Sequence, residues 1–199
     1  MPIDPPMLAR SIGTLPGLDP TRDLAAALQQ AVRAAKQLVD ADAAGIMLAD
    51  ADGRLRWASA SDQRAQALED NQEVFAAGPC AEAFASGWPA VMHDATVEQR
   101  WGEVALVFVE VRIRSGLSVP VQLGGGPIGT LDVYAVDPRA WDDTEVRALQ
   151  ASARVVASLL GAAATASAPA PWPSSSGSWW TPGADRAGQG RADGTRTPG

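Results

Sequence analysis

The chain has 199 residues, a formal net charge of -7 and a single lysine, Lys36. This composition argues against a nucleic-acid-binding surface, because phosphate neutralisation needs clustered Lys and Arg. Cys80 is the only cysteine, which excludes an intramolecular disulfide and a cysteine-based zinc site, while a hydrophobic content of 46% is enough for a buried core.

The two ends of the chain are predicted to be irregular. Residues 1–18 hold four prolines and lack the basic and apolar stretches of a secretory signal, so a cytoplasmic location is expected. Residues 162–199 consist largely of Ala, Pro, Ser and Gly, a composition that predicts a disordered tail. The folded domain is therefore expected at 19–161. The longest apolar stretch near the end, 155–166, is too short to span a membrane.

The first helix is predicted to begin at Asp19, a possible N-cap that is followed by Pro20 at the first helical position. Apolar residues then recur at spacings of three and four, which is the pattern of a helix with one buried face. The residues on that face are Leu24, Leu28, Ala31, Val32, Ala35, Leu38 and Val39.

A β-hairpin is predicted next. Its strands are 43–48 and 54–59, and the Asp52-Gly53 pair between them favours a tight turn. Ser61 is a candidate N-cap for a helix that extends to about Asn71. Gly78 and Pro79 then interrupt the chain, residues 80–86 form a two-turn helix, and 88–94 form a further strand.

The stretch 104–113 fits two periodicities. Val107, Val109 and Val111 alternate as in a strand, whereas Val104 and Phe108 add the spacing of a helix. Local propensity favours the strand, because β-branched residues dominate the stretch.

The last predicted elements are a second hairpin and a long helix. The strands 117–123 and 128–136 are separated by a glycine run at 124–126, which suits a hairpin turn. Asp142 and Glu145 have the spacing of a capping box at the start of the helix. Its apolar seam suits packing against another helix. The seam consists of Val146, Leu149, Ala153, Val156 and Leu160.

Four short motifs occur in this order of elements: GPCAEAF at 78–84, RW at 100–101, RSGLSVPV at 114–121 and IGTLDVY at 128–134. Together they resemble the GAF domain family, and most of all the sensor halves of bacterial GAF-ANTAR regulators. The resemblance implies an α+β fold with an antiparallel sheet of five to six strands. It also implies that the first and last helices share one face, and that short helices cover a ligand pocket on the other.

The resemblance implies a small-molecule sensor of a bacterial signal-transduction or transcription-regulatory protein, and it favours a helix at 104–113. The apolar seams on both terminal helices, if the sheet buries them only in part, favour a homodimer formed through these helices. The candidate interface residues are Leu24, Leu28, Val32, Leu149, Val156 and Leu160. Nothing after Leu160 has the periodicity of the RNA-binding ANTAR module, so a truncated, frameshifted or degenerate output half is expected. The alternative function is an interaction scaffold that binds no ligand.

Seven residues are candidates for the pocket, although core packing explains most of them equally well. Asp132 lies between apolar strand residues and points to the face opposite Leu131 and Val133. Trp101 follows Arg100 in the segment that crosses the cavity in the family. The full candidate set is Trp57, Cys80, Phe84, His93, Trp101, Phe108 and Asp132.

No catalytic residue, resident cofactor or metal is expected. Cys80 raises the possibility of bilin attachment, but a lone cysteine is more often a buried small hydrophobic residue. His93 is the only histidine that haem could use as a ligand. A redox enzyme of the GAF fold, such as a methionine sulfoxide reductase, exchanges disulfides between several cysteines, so a single cysteine disfavours that activity.

Overall fold

The computed structural model of the protein describes residues 24–167. The predictions for Asp19, Pro20, the 1–18 segment and positions 168–199 lie outside these residues. The described part is an α+β fold with five helices and five strands. In chain order they are α1 (Leu24–Leu38), β1 (Ala43–Ala49), β2 (Leu55–Ala60), α2 (Gln63–Phe75), α3 (Pro79–Ser86), β3 (Ala90–Met92), α4 (Glu103–Glu110), β4 (Ser115–Leu123), β5 (Gly126–Ala135) and α5 (Asp143–Ser167).

The five strands form one antiparallel sheet in the order β2-β1-β5-β4-β3. The predicted second hairpin is confirmed as β4 and β5. Gly124 and Gly125 form its turn with φ angles of 65° and 97°, a left-handed region that glycine enters at no steric cost. Because β1 pairs with β5, the predicted first hairpin is joined to the second through the centre of the sheet.

The first and last helices pack together on one face of the sheet, as the resemblance implied. We call the apolar cluster between them and the sheet the terminal-helix core. It contains Leu28 and Val32 of α1, Val39 directly after α1, and Leu149 and Val156 of α5. Each fully buried side chain of this kind stabilises the fold by about 1.5 to 3 kcal/mol. The strand residues in this core are Ala44, Ile46, Leu117, Val119, Val121, Leu131, Val133 and Ala135.

The three shorter helices lie on the opposite face. We call the apolar cluster beneath them the opposite-face core. Its buried members are Ala43, Ala65, Ala95, Leu68, Met92, Trp101, Val104, Phe108, Ile113 and Tyr134. Strand β5 contributes to both sides, because Leu131 and Val133 belong to the terminal-helix core while Asp132 and Tyr134 point the other way. The predicted orientation of Asp132 is therefore confirmed.

The ambiguous stretch is helical at Glu103–Glu110, in agreement with the resemblance and against local propensity. Val104 and Phe108, one turn apart, are both buried, whereas Leu106 is 63% exposed. The helical conformation is favoured over the extended one because it directs the Phe108 ring edge-on against Tyr134, with ring centroids 5.6 Å apart. Burial of two large side chains on one helical face outweighs the small β preference of valine.

The prediction that Ser61 caps the following helix is wrong. Asp62 is the N-cap of α2, and its Oδ1 accepts hydrogen bonds from Arg64 N and Ala65 N, each at 3.0 Å. The Ser61 hydroxyl instead accepts a bond from Ala44 N at 2.9 Å. The helix also continues one turn beyond Asn71, to Phe75.

Helix α5 begins at the predicted capping box. Asp142 Oδ1 accepts from Glu145 N at 2.9 Å, and Glu145 Oε2 accepts from Asp142 N at 2.8 Å. The helix continues to Ser167, so the boundary predicted at 161 is too early. The physical reason is the run of alanines that begins at Ala162, since alanine is the strongest helix former.

Residues Asp143–Thr165 of α5 are long and apolar enough to cross a membrane by length and composition alone. Only 28% of that window is buried, but its buried residues Leu149, Ala153 and Val156 belong to the terminal-helix core. These contacts make α5 a core helix of this domain.

The structure buries most of the predicted dimer seam inside the single chain. Leu28, Val32, Leu149 and Val156 pack against the sheet, and only Leu24 and Leu160 are partly exposed. The first four are therefore unavailable to a second copy, which corrects their assignment to a dimer interface. The reason is that one apolar stripe on each helix is needed to cover the sheet itself.

Gly129 tests the central pairing of the sheet. A Cβ at Gly129 would lie 2.1 Å from the backbone oxygen of Met47, so we expect Gly129→Ala to separate β1 from β5 and to lower the free energy of unfolding by about 3 kcal/mol. Urea unfolding provides the measurement. Gly126→Ala is the control, because a Cβ there meets nothing within 4 Å. Equal stabilities of the two variants would contradict the pairing.

Candidate functional site

Helix α2 directs polar side chains into the protein interior. Ala65, Leu68, Glu69 and Gln72 lie on one helical face, and all four are buried against the sheet. Ala65 and Leu68 belong to the opposite-face core, whereas Glu69 and Gln72 bring a carboxyl group and an amide to the same depth. A fully buried Glu is rare in proteins unless it has a specific partner.

The Glu69 carboxyl group lies directly over Gly45 of strand β1. A Cβ at Gly45 would be 2.0 Å from Glu69 Oε1, so only glycine leaves room for the acid. Gly45 pairs with Asp132 in the β1–β5 register, and Asp132 is also fully buried on this face. Since directly paired strand residues lie about 5 Å apart, the two acids occupy neighbouring positions in the interior.

Hydroxyl and amide groups surround the two acids. Thr130 Oγ1 donates to Asp132 Oδ2 at 2.8 Å, and Tyr134 OH donates to Glu69 Oε1 at 2.9 Å. Gln72 Nε2 donates to the Tyr134 hydroxyl oxygen at 3.1 Å. Ser118 lies opposite Asp132 in the β4–β5 register. We call this set the buried acid cluster. Its members are Glu69, Gln72, Ser118, Thr130, Asp132 and Tyr134.

Three polar atoms of the buried acid cluster have no hydrogen-bond partner among the described residues. They are Glu69 Oε2, Asp132 Oδ1 and Ser118 Oγ. Ser118 lies near enough to favour the ionised form of Asp132, but its hydroxyl falls outside hydrogen-bonding geometry. An unsatisfied buried polar group destabilises the folded state by about 1 to 3 kcal/mol. Three such groups in one place therefore need an explanation other than the stability of the fold.

Burial is the main influence on every ionisable group of this cluster. It raises the pKa of Asp132 to about 7, against the opposing effect of the Ser118 and Thr130 hydroxyls. It also raises the pKa of Glu69 well above its usual range, and the neighbouring charge of Asp132 raises it further. The pKa values of Tyr134 and Cys80 are raised by burial as well, so both side chains are neutral at physiological pH.

A cavity of about 570 Å³ adjoins the cluster at the β2 edge of the sheet. We call it the edge cavity. Gln72 connects the two features, since it lines the cavity and hydrogen bonds to Tyr134. The complete lining is Gly53, Arg54, Leu55, Arg56, Gln72, Glu73, Val74, Ala76, Ala81 and Phe84. Arg56 is held by Asp50 and Glu73 at 2.9 Å and 2.6 Å, which fixes the outer wall.

Four of the seven pocket candidates lie in or beside these features. Asp132 is at the centre of the buried acid cluster, and Phe84 lines the edge cavity. Cys80 is buried and donates its backbone N–H to Gln72 Oε1 at 3.1 Å. Phe108 of α4 packs edge-on against Tyr134. Each of these four residues is part of the buried acid cluster or the edge cavity, or contacts a member of the cluster.

The other three candidates lie elsewhere. Trp57 is on the edge strand β2 and is 41% exposed. His93 is exposed, with its Nδ1 at 3.1 Å from the Arg139 carbonyl oxygen. Trp101 is buried in the opposite-face core, and the Arg100 guanidinium stacks 4.0 Å from its ring centroid. The edge cavity borders none of the three.

Sequence reasoning missed Glu69, Gln72, Ser118, Thr130 and Tyr134. Glu69 and Gln72 lie in a helix whose polar residues resemble a solvated face, so their own positions give little signal. Gly45, in the middle of an apolar strand, is the signal that was present. A glycine there often marks the close approach of another group, and in this protein the group is the Glu69 carboxyl.

The residues present do not fit a bilin or a haem. Attachment of a bilin needs an accessible thiolate, but burial and the neighbouring Asp132 and Glu69 hold the pKa of the Cys80 thiol well above its usual range. A haem ligand has to face a cavity, and His93 faces solvent. The absence of a resident cofactor stays a prediction.

A sheet with paired terminal helices on one face and short helices over a polar site on the other defines a class of small two-sided α+β domains. A family model described as GAF domain matches residues 21–160. Because this match covers more than half of the sequence, the chain belongs to the GAF domain family. Domains of this family are typical of signalling sensors. The sequence matches no curated protein.

Solved structures show the same fold. The free methionine-R-sulfoxide reductase from Neisseria meningitidis, in complex with its substrate, has a TM-score of 0.62 and 20% identity and covers 81% of this chain and 89% of its own. A sensor histidine kinase domain from Sinorhizobium meliloti 1021 has a TM-score of 0.57 and 18% identity over 69% and 90%. The GAF domain of the cyanobacteriochrome TePixJ has a TM-score of 0.60 and 18% identity over 76% and 98%.

The raised pKa of Asp132 predicts how stability depends on pH. Between the ordinary carboxyl value of 3.8 and about 7, the folded protein holds a proton that the unfolded chain releases. The free energy of unfolding therefore falls as pH rises through this window, by up to about 1.4 kcal/mol per pH unit. We expect Asp132→Asn to reduce the difference between pH 4.5 and pH 8 by on the order of 2 to 4 kcal/mol.

Urea unfolding at a series of pH values measures this difference. Asp143→Asn is the matched control, since the Asp143 side chain is 94% exposed and lies outside the cluster. It should retain the wild-type pH dependence. If the free energy of unfolding of Asp132→Asn falls with pH as steeply as that of the wild type, Asp132 ionises normally in the folded protein.

Proposed function

We propose that this protein is a small-molecule sensor domain of a bacterial signal-transduction or transcription-regulatory protein. The observation that supports it is the buried acid cluster beside the edge cavity. The cluster holds three polar atoms without partners on the sheet face covered by short helices. A concave site with apolar walls and a few convergent polar groups is the usual form of a small-molecule site.

Helix α2 offers a route from binding to output. Its inner face carries Glu69 and Gln72, while Glu73 and Val74 line the edge cavity. A ligand that occupied both the edge cavity and the buried acid cluster would therefore contact α2 at both pairs of residues. Movement of α2 would then be transmitted through β1 and β2, on which the helix packs. A ligand shifts such an equilibrium only by its differential affinity for the two states.

We propose no catalytic activity. The structural relatives include methionine sulfoxide reductases, but the chain has one cysteine and burial keeps its thiol protonated. Disulfide exchange needs a thiolate and a second thiol. The alternative function is a scaffold that binds no ligand, in which case the unpartnered atoms of the cluster are a tolerated cost of the fold.

The relationship to GAF-ANTAR regulators also belongs to the proposal. It is supported by the RSGLSVPV and IGTLDVY motifs, which form β4 and β5 and carry Ser118, Thr130, Asp132 and Tyr134. A cytoplasmic location fits a regulator of this kind. We propose that any contact with nucleic acid belongs to a separate output module.

Filling the edge cavity tests the sensor function. Phe84→Trp adds bulk to the cavity wall, so we expect it to abolish the thermal stabilisation that a ligand gives to the wild-type protein. That stabilisation amounts to about 2.7 kcal/mol when the ligand is at one hundred times its dissociation constant. Native mass spectrometry of protein purified from its own host supplies the ligand, and a metabolite thermal-shift screen supplies a second route.

Phe75→Trp is the matched control for this substitution. Phe75 is 43% exposed at the end of α2 and does not line the cavity, so its variant should respond to the ligand like the wild type. If neither method finds a small molecule that stabilises the wild-type protein, the scaffold function is the correct one.

We also propose that the protein is a homodimer, with an interface on the outward face of α5. This helix is apolar along its length, yet only 28% of its Asp143–Thr165 window is buried within the chain. Val155 and Leu159 are half-buried and lie outside the terminal-helix core. A second copy packed on this face would remove them from water, and two-fold pairing of identical surfaces is the commonest assembly.

Light scattering tests the dimer. We expect a dimeric mass at tens of micromolar for the wild type and a monomeric mass for Leu159→Glu, because a buried, unpaired charge at a two-fold interface opposes association. Leu106→Glu, at an exposed position on α4, is the control and should remain dimeric. A monomeric wild-type protein at this concentration would contradict the proposal.

A further inference from the structure

The two buried acids lack any positively charged partner within residues 24–167. Glu69 accepts one hydrogen bond from the Tyr134 hydroxyl, and Asp132 accepts one from the Thr130 hydroxyl. No Arg or Lys of the described residues hydrogen bonds to either carboxyl group or forms an ion pair with it. Buried carboxyl groups in proteins are normally paired with a cation or held by several hydrogen-bond donors. This pair lacks a cationic group that would stabilise its ionised form.

The unpartnered atoms define what a partner has to supply. Glu69 Oε2 and Asp132 Oδ1 can accept hydrogen bonds when ionised, and Ser118 Oγ can either accept or donate. The chain already directs its nearby hydroxyl donors, those of Tyr134 and Thr130, at the other oxygens. The missing partner is therefore a group with N–H donors and a positive charge, which forms the strongest hydrogen bonds to carboxylates.

We infer that the buried acid cluster recognises a small organic cation with at least two N–H donors, of the amine, amidinium or guanidinium class. This inference rests on the proposed sensing function and names its ligand class. The fully buried, unpartnered Ser118 hydroxyl is the observation that separates this site from an ordinary acidic patch.

Other ligand classes fit less well. An anion would meet two carboxyl groups in a medium of low dielectric constant, where like charges repel strongly. A zinc site needs at least three protein ligands, and the described residues contain no group of three His, Cys, Asp or Glu side chains that could hold one. A neutral molecule could bind the protonated acids, but unlike a cation it would not favour their ionised forms, and the neutral counterparts in the titration below test this class.

The edge cavity provides the approach. Gln72 is the residue that the cavity and the cluster share, and its amide holds the Tyr134 hydroxyl and the Cys80 backbone N–H. Glu69 lies one helical turn from Gln72, so the approach that we propose runs past the Gln72 side chain. The apolar wall formed by Leu55, Val74 and Phe84 would accommodate a carbon skeleton attached to the cationic group.

Binding of a cation should become tighter as pH rises, because it favours the ionised forms of the two acids. The other titratable groups near the pair are Cys80 on α3, Tyr134 on β5 and Asp70 on α2. Burial keeps Cys80 and Tyr134 neutral, and the charge of Asp70 disfavours ionisation of Glu69. Strands β1 and β4 contribute Gly45 and Ser118, which do not titrate in this range.

Three cations and their neutral counterparts test the inference on the full chain by calorimetric titration at fixed sodium chloride. The pairs are guanidinium and urea, benzamidine and benzamide, and 1,4-diaminobutane and 1,4-butanediol. We expect at least one cation to bind about tenfold or more tightly than its neutral counterpart at pH 8, and to bind more weakly at pH 6. This comparison uses only the wild-type protein and so does not depend on the folding of any variant.

Variants then locate the binding. Asp132→Asn and Glu69→Gln keep the shape of each side chain and are expected to weaken the cation about tenfold or more, while Asp143→Asn leaves the affinity unchanged. Ser118→Ala, which removes no charge, should weaken it by a smaller factor. Equal binding of all cations and neutral molecules would falsify the inference, as would cation binding that both acid variants retain, or an equal stabilisation by sodium chloride alone.

The outcomes also separate this inference from the sensing function on which it rests. A neutral or anionic metabolite that copurifies with the protein and depends on Phe84 would leave the sensor function intact and overturn the cationic ligand. If no small molecule of any charge stabilises the protein, both proposals fail together.

Discussion

Glu69 and Asp132 lie side by side above the β1–β5 pair because Gly45 leaves space for the Glu69 carboxyl group, and the rest of this face is arranged around that contact. The hydroxyls of Thr130 and Tyr134 point at the two acids, and the Gln72 amide holds the Tyr134 hydroxyl in turn. Two neighbouring carboxyl groups in a low-dielectric interior cannot both ionise easily, and the charge of Asp132 accordingly raises the pKa of Glu69.

The two faces of the sheet differ in composition and in their contribution to stability. The terminal-helix core is built from Ala, Val, Leu and Ile together with Trp141, has no charged member, and supplies a large share of the hydrophobic stabilisation. That surplus allows the opposite face to retain unpartnered polar atoms, which by themselves destabilise the folded state. Such a distribution is common in proteins with binding sites, since groups arranged for a ligand are seldom arranged for stability.

The relatives show how one fold serves several purposes. A sulfoxide reductase, a histidine kinase domain and a cyanobacteriochrome domain share this architecture with the chain at 18–20% identity, a level that establishes the fold alone. In this chain the side of the sheet that the short helices cover carries two acids, three hydroxyls and one buried thiol.

The sequence by itself determined most of the helices, the two hairpins and the placement of Asp132 on the face opposite Leu131 and Val133, because hydrophobic periodicity, glycine turns and strand alternation are local properties. It left Val104–Ile113 open between helix and strand, and only the packing of Phe108 on Tyr134 decided for the helix. It did not single out Glu69 and Gln72, since polar residues in a helix are usually solvated. Tertiary structure decided otherwise, because α2 packs across Gly45, and a contact between residues so distant in the chain has no local signature.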